Sequence, residues 1–222
     1  MSSSEISEGA LPDTGAGKQR RTANSRRRTP SQERSTALVR RLLEATAQVL
    51  DEVGVEATST NKVAARAGVA IGSVYQYFPN KAALIDALLD DRLHRLESLT
   101  AARMTALHAD SYPQAADAML RAAIAFYETE PEVTAMLASR TAMPRAGSPD
   151  RQLYQRGHEI ARTYLQAHAD ELGIDDIEVA ATVSTRVVGN FAPWIALSVT
   201  GDDERERFIA EVVRMLSQWI GS

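Results

Sequence analysis

A chain of 222 residues can form one medium-sized or two small domains, and without cysteine it has no disulfide framework and no thiolate metal site. Apolar residues make up 44% of it and aromatic residues only 5%, with alanine and leucine abundant, which favours an all-α protein. The sequence has no signal-like segment and no apolar run long enough to span a bilayer. We therefore expect a soluble, cytoplasmic protein that does not contact a membrane.

The net charge of −4 conceals a change of sign along the chain. Residues 1–90 contain twelve basic and ten acidic residues, whereas residues 91–222 contain thirteen and nineteen. Nine basic residues and a single acid lie between Gly17 and Arg41. This asymmetry is typical of a protein whose N-terminal end faces nucleic acid.

The chain begins with a segment of biased composition. Residues 1–31 are rich in Ser, Thr, Gly and Arg and lack apolar periodicity, which predicts a disordered basic tail. A solvated tail is its simplest interpretation, and phosphate or minor-groove contacts are the alternative. Between Val39 and Val53 apolar residues recur at helical spacing, and Gly54 can end that helix.

Residues 57–81 have the pattern of a helix-turn-helix that continues into another helix. Ser59 can cap a short helix, Gly68 tolerates the sharp turn that follows, and Val74 can pack beneath the turn. Five residues remain as candidate outward groups: Ile71, Ser73, Tyr75, Gln76 and Tyr77. A short helix with such groups can enter a major groove, although an ordinary helical corner has the same glycine turn.

The wider string GVAIGSVYQYFPNKAAL, residues 68–84, closely resembles the DNA-binding signature of the TetR family of one-component bacterial regulators. That signature is a glycine turn, a small residue, a hydrophobic–Tyr pair, an aromatic pair ending in Phe, and a lysine that opens the next helix. The resemblance covers roughly residues 36–90. It implies a helix-turn-helix domain over 32–80 and a helical ligand-binding and dimerisation domain over 81–222.

The resemblance also implies which residues contact DNA. The groove-facing positions are Ile71, Gly72, Ser73, Tyr75 and Gln76. The phosphate-facing positions are Thr60, Tyr77 and Lys81. Asn61, which follows the capping Ser59 by two residues, can reach a base edge. Glutamine can pair with adenine, and a helix N-terminus such as that of Lys81 favours phosphate. Ala70 departs from the family pattern, in which a capping Ser or Thr is frequent. Because the predicted reading helix holds no Arg or Lys, strong guanine readout is not expected from it.

Apolar spacing and turn residues predict six further helices. Their approximate ranges are 81–108, 112–129, 132–141, 150–171, 176–199 and 203–220, with a loop at 144–149. The long fourth helix would connect the DNA-binding end to the remainder of the protein.

The last two helices carry apolar residues over more than one face, so each needs two packing surfaces. In the family these helices form a four-helix dimer interface, which implies a homodimer. The candidate interface residues are Val187, Phe191, Phe208, Val212, Leu216 and Trp219.

A pocket for an unknown small-molecule effector is implied by the family alone. Candidate lining residues are Phe126, Tyr127, Met136, Arg140, Tyr164, Arg186, Asn190, Phe191 and Trp194. Arg140, Arg186 and Asn190 are polar groups on apolar helical faces and must find partners, for which an internal ion pair is the simpler solution. The apolar candidates can equally be core residues.

An enzyme is the least favoured class. The four histidines, His94, His108, His158 and His168, form no i,i+4 metal pair, and no Gly-rich phosphate loop or nucleophile elbow is present. We expect neither cofactor, metal nor catalytic residue. The sequence predicts a homodimeric, ligand-responsive repressor of a pseudo-palindromic double-stranded operator; the alternative is a dimeric helical scaffold or small-molecule-binding protein without DNA readout.

Overall fold

The structure, a computed structural model, describes residues 30–106, 111–141 and 149–220. Within these ranges it contains ten helices and no strand, which confirms the all-α prediction. The helices are α1 (Pro30–Ala57), α2 (Thr60–Ala67), α3 (Ile71–Tyr75), α4 (Lys81–Ala106), α5 (Tyr112–Glu128), α6 (Pro131–Thr141), α7 (Pro149–Ala167), α8 (Ala169–Leu172), α9 (Ile177–Ser198) and α10 (Asp202–Ile220). The predicted basic tail up to residue 29, the end of the predicted fourth helix at His108 and most of the predicted loop at 144–149 lie outside the described residues.

The first three helices and the start of α4 share one small core. Leu42 and Leu50 of α1, Val63 of α2, Val74 of α3 and Leu84 of α4 are almost completely buried in it. Leucine and valine at helical spacing place one apolar face of each helix inward. This core fixes the angle between α2 and α3, on which the candidate DNA site depends.

The remaining helices form a bundle in which α9 packs on both α5 and α7, while α4 packs on α7 and α10 packs on α5. α1 also packs on α6, so the two parts of the chain meet along α1, α4 and α6. Among the described residues, none of the helices combines the length and the apolar character needed to cross a membrane.

Two predicted helix ends differ from the observed ones. Gly54 has a positive φ of 73°, as its role as a helix terminator requires, but a short helical turn continues beyond it to Ala57. The predicted seventh helix is divided at His168, which has non-helical backbone angles. The His168 ring donates from Nδ1 to the Tyr164 carbonyl (2.9 Å), while its backbone N–H donates to the Leu165 carbonyl. The side chain thus takes the acceptor that a continued α-helix would need.

Candidate nucleic-acid interface and cavity

Backbone caps define both ends of α2. The Ser59 hydroxyl accepts a hydrogen bond from the Lys62 backbone N–H, as the sequence predicted. Gly68 is left-handed, with φ of 64°, and the Val69 N–H donates to the Ala64 carbonyl at 3.0 Å. Such a left-handed cap reverses the chain within a few residues. It allows α3 to pack back against α2.

α3 has one buried and one exposed face. Val74 is completely buried, whereas Ile71 is 37% and Tyr75 53% exposed, and Gly72 and Gln76 are also exposed. Large apolar and amide side chains on a solvent-facing surface are available to contact a partner. Ala70 makes no side-chain cap at the start of α3, although the Ser73 N–H donates to its carbonyl at 2.9 Å.

A hydrogen bond holds the two helices together at their exposed edge. The Tyr75 and Thr60 hydroxyl oxygens lie 3.2 Å apart, and Thr60 itself is largely buried. The Tyr75 ring therefore faces outward while its hydroxyl is restrained by α2. The partner of the Tyr75 hydroxyl is thus the first residue of α2.

Two lysines flank this surface and also bond to backbone carbonyls. Lys81 donates from Nζ to the Val55 carbonyl (3.0 Å), and Lys62 donates from Nζ to the Ala57 carbonyl (2.8 Å). Each ammonium has three donors, so one bond to the protein leaves others for a phosphate. Lys62 was not among the residues that the sequence singled out, although it follows Asn61 directly on α2.

A cluster of charges joins the helix-turn-helix part to the bundle. Arg92 of α4, only 2% exposed, pairs with Glu130, Asp91 and Glu44, and we call these four residues the junction cluster. Burial opposes its charge, but hydrogen bonds and charges from Glu130 and its other partners outweigh burial and raise the pKa of the Arg92 guanidinium.

Two further contacts cross the same boundary. The Asp51 carboxylate of α1 accepts a hydrogen bond from the Glu132 backbone N–H in the first turn of α6. Burial raises the pKa of Asp51, although the Glu132 hydrogen bond acts in the opposite direction. Arg140 of α6 pairs with Asp90 of α4 at 2.7 Å, which is an ion pair of the kind that its position on an apolar helical face predicts.

The bundle contains a cavity of about 180 Å³ between α4, α5, α7, α9 and α10, which we call the bundle cavity. Its walls are chiefly apolar, with Leu96 and Met104 of α4 and Leu165 of α7 among them. Burial raises the pKa of the Tyr127 hydroxyl to about 12, so this group is a neutral donor near pH 7. A cavity with chiefly apolar walls suits an organic ligand.

Comparison with known proteins identifies the family. The family described as "Bacterial regulatory proteins, tetR family" matches residues 42–88, and "Tetracyclin repressor-like, C-terminal domain" matches residues 111–219. The chain belongs to the TetR family. The residues of the helix-turn-helix lie within the first match, and α5 to α10 lie almost entirely within the second.

Individual TetR-family relatives agree with this assignment. The HTH-type transcriptional regulator BetI of Vibrio parahaemolyticus is 32% identical over 92 residues, which are 41% of this chain and 46% of that protein, so this chain matches just under half of BetI. The HTH-type transcriptional repressor KstR of Rhodococcus jostii is 26% identical over a match that covers 80% of this chain and 82% of the KstR chain. The crystal structure of a TetR-family regulator from Streptomyces coelicolor has a TM-score of 0.63 and 26% identity, covering 85% and 99% of the two chains.

The structure brings the predicted DNA-binding residues of this TetR-family chain to one surface. Residues on α3 and its flanks (Ile71, Gly72, Ser73, Tyr75, Gln76 and Tyr77) adjoin those at the start of α2 (Ser59, Thr60 and Asn61), with Lys81 at the start of α4. All but Ser59, Thr60, Ser73 and Lys81 are exposed. DNA contact remains a prediction for each of them.

The structure places only some of the candidate pocket residues in the wall of the bundle cavity. Tyr127, Tyr164, Arg186 and Asn190 line the bundle cavity, whereas Phe126, Met136, Arg140, Phe191 and Trp194 are not in its wall. Phe191 and Trp194 instead form an edge-to-face cluster with Phe208 where α9 meets α10. Periodicity could not separate these sets because both lie on apolar helical faces. It also missed Tyr112, Tyr154 and Thr185, which line the cavity.

The candidate dimer residues require a correction. Val212 and Leu216 are only 4% and 2% exposed in the single chain, and Leu216 lines the bundle cavity. They are core residues, because a side chain that meets a second subunit must first lie on the surface of its own. Val187, Phe191 and Phe208 are half-buried, and Trp219 is exposed. The apolar surface of α9 and α10 also includes Trp194, Leu197 and Met215, which the prediction did not include.

Proposed function

We propose that this chain is a sequence-specific DNA-binding transcription regulator: a homodimeric repressor whose affinity for a pseudo-palindromic operator is changed by an organic effector in the bundle cavity. The observation that carries the proposal is the division of α3 into a buried Val74 and an exposed face with Ile71, Tyr75 and Gln76. Family membership supports DNA regulation, and the KstR relative is named a repressor.

The proposed readout is direct contact in the major groove. Gln76 can form two hydrogen bonds with adenine, and Ile71 can contact a thymine methyl group. Lys62 and Lys81 flank this surface and can neutralise phosphates. In a homodimer, two copies of α3 would enter successive major grooves about 34–36 Å apart.

The proposed homodimer uses the exposed apolar surface of α9 and α10. Trp194 and Leu197 of α9 and Met215 and Trp219 of α10 are each about two-fifths exposed. An apolar surface of this kind on a soluble chain is typical of an interface. Burying it against its own copy gives the symmetric pair of recognition helices that an inverted repeat requires.

The proposed control passes through α4. This helix begins at Lys81 beside α1, carries Arg92 in the junction cluster and lines the bundle cavity with Leu96. A ligand that binds one position of α4 more tightly than another shifts the protein toward the first position. This changes the spacing of the two α3 helices in the homodimer, and the size of the shift is set by the difference in affinity.

Selection from random double-stranded DNA by the full chain tests this function. We expect enrichment of an inverted repeat whose half-sites are about one helical turn apart. Gln76→Glu places a negative charge on the exposed face and should abolish enrichment while leaving the thermal midpoint unchanged. A helical scaffold without DNA readout would enrich no sequence, and this result would refute the proposal.

A further inference from the structure

Among the residues that the structure describes, the wall of the bundle cavity contains one cation. Arg186 of α9 lines the cavity, and its guanidinium carbon lies 3.9 Å from the centre of the Tyr154 ring on α7. Among the described side chains, Arg186 has this ring contact and neither a carboxylate partner nor a hydrogen bond to its guanidinium. Several other arginines of the bundle differ in this respect: Arg162, for example, pairs with both Glu159 and Glu178.

The Tyr154 contact orients the guanidinium without neutralising it. A cation over an aromatic face is attracted by the ring quadrupole, but the ring supplies no counter-charge and no acceptor in its plane. The planar donors of Arg186 therefore remain available in a fixed orientation. An arginine presents this fork to a carboxylate with two parallel hydrogen bonds.

A second polar group beside Arg186 also lacks a partner. The Thr185 hydroxyl oxygen is buried, has no hydrogen-bond partner among the described residues, and belongs to a residue of the cavity wall. Leaving a buried hydroxyl unpaired costs free energy, which a bound acceptor recovers. By contrast, the Tyr112 and Ser184 hydroxyls in the same wall pair with each other at 2.9 Å.

The size and apolar walls limit the rest of the ligand. A cavity of about 150 Å³ accommodates a benzene molecule. The present 180 Å³ therefore suits an apolar body of a ring with a short chain, or a chain of similar size. A single guanidinium balances one negative charge, which favours a monoanion over a dianionic phosphate.

We propose that the effector of this protein is an apolar monocarboxylate, with its carboxylate bound by Arg186 and Thr185 and its apolar part lying between α4, α5 and α7. This inference rests on the proposed function for its regulatory meaning, but its binding claim is separate from operator recognition. Arg186 would select the charge of the ligand, and the apolar walls would select its size.

Matched pairs of probes test the charge selection without any substitution. Phenylbutyrate is compared with phenylbutyramide, and octanoate with octanamide, by calorimetric titration of the full chain. Each amide has nearly the size of its acid but no charge. We expect each acid to bind about ten- to a hundredfold more tightly than its amide, the range for hydrogen bonds to charged groups. Equal affinity within a pair would overturn the proposal.

Variants then test which residues cause the preference for the acid over the amide. Arg186→Met should bring acid and amide within about twofold of each other, and Thr185→Val should weaken the acid more than the amide. Arg162→Met is the matched control, since it removes an arginine on α7 that is not part of the wall. Retained selectivity in a folded Arg186→Met protein would overturn the assignment. If Arg186→Met does not fold, Arg186→Lys keeps the charge without the fork and should weaken the acid alone; unchanged acid affinity would overturn it.

Operator retention separates this inference from the proposed function. If none of the four probes binds while the ligand-free chain still selects an inverted repeat, the monocarboxylate inference fails and the DNA-binding function stands. If the acids bind selectively but no DNA is retained, the cavity assignment stands and the regulatory function fails.

Discussion

Arg92 of α4 and Glu130, between α5 and α6, are joined by two parallel hydrogen bonds of 2.5 Å, from Nε to Oε2 and from Nη2 to Oε1. The pair lies one helical turn from the bundle cavity, because Leu96 follows Arg92 by four residues and Tyr127 precedes Glu130 by three. Arg92 also reaches Glu44 of α1 at 3.1 Å. The same guanidinium thus contacts both the segment between α5 and α6 and helix α1.

Removing one member of this pair should destabilise the protein. Glu130→Gln leaves the buried Arg92 without its bidentate partner, and we expect a loss of about 2 kcal/mol in the free energy of unfolding, below the full cost of a broken buried pair because Glu130 is partly exposed. Arg214→Met is the control, since its exposed ion pair with Glu211 lies within α10 and outside the junction cluster, and it should leave the free energy of unfolding almost unchanged. Urea unfolding measures both, and equal losses would contradict the special role of the Arg92–Glu130 pair.

Substitutions on α3 and α4 should separate base readout from phosphate binding. Gln76→Ala should lose discrimination at one symmetric operator position, by about 1–3 kcal/mol per site. Lys81→Ala should weaken all sequences alike and reduce the salt dependence of binding. Binding to a set of single-base operator variants at several salt concentrations is the measurement. A uniform loss for both variants would remove Gln76 from the list of base-reading residues.

Charge on the exposed face of α10 should disrupt the homodimer. Met215→Glu combined with Trp219→Glu places two charges on neighbouring exposed positions, so we expect a monomer of unchanged helicity by sedimentation and circular dichroism. Ala210→Glu adds charge to another exposed position of α10 and should leave the dimer intact. Substitution of the buried Val212 or Leu216 would instead disturb the core. A wild-type monomer at micromolar concentration would refute the dimer.

Acid should weaken the junction cluster through Glu44. Burial favours the neutral carboxyl, but hydrogen bonding to Arg95 and the charges of Arg92 and Arg95 outweigh burial and lower the pKa of Glu44 below its ordinary 4.5. Because the folded-state pKa is the lower one, the stabilising contribution is fully present above pH 4.5 and is lost as pH falls through the folded-state value. The difference in unfolding free energy between wild type and Glu44→Gln should therefore shrink only below that pH. A difference that stays constant down to pH 3 would contradict the pairing.

The basic residues ahead of α1 should contribute to the salt dependence of DNA binding. Deleting residues 1–29 removes Lys18, Arg20, Arg21, Arg26, Arg27 and Arg28 and leaves α1 to begin at Pro30. Each phosphate that these residues neutralise adds about 0.9 to the log–log salt slope. We expect a shallower slope with dimerisation and helicity unchanged, measured by operator titration against salt. Identical slopes would show that this segment does not take part in binding.

The local structural features of the helix-turn-helix could be predicted from the sequence because each depends on neighbours within a few residues. The Ser59 cap, the left-handed Gly68 and the burial of Val74 follow from hydrogen bonding and sterics over one or two helical turns. The same reasoning predicted the helices of the bundle and the internal partner of Arg140, although it could not name Asp90.

Only the tertiary structure decided which apolar faces are core, cavity or outer surface. Helical periodicity marks a face as apolar but does not say what covers it, so Leu216 and Trp219, three residues apart on α10, were predicted to have the same role. Packing of α10 on α5 and α9 buries Leu216 against the bundle cavity and leaves Trp219 exposed. The contact of Arg186 with Tyr154 and the pair of Arg92 with Glu130 likewise join parts of the chain that are distant in sequence, and their geometry arises from packing that no local pattern encodes.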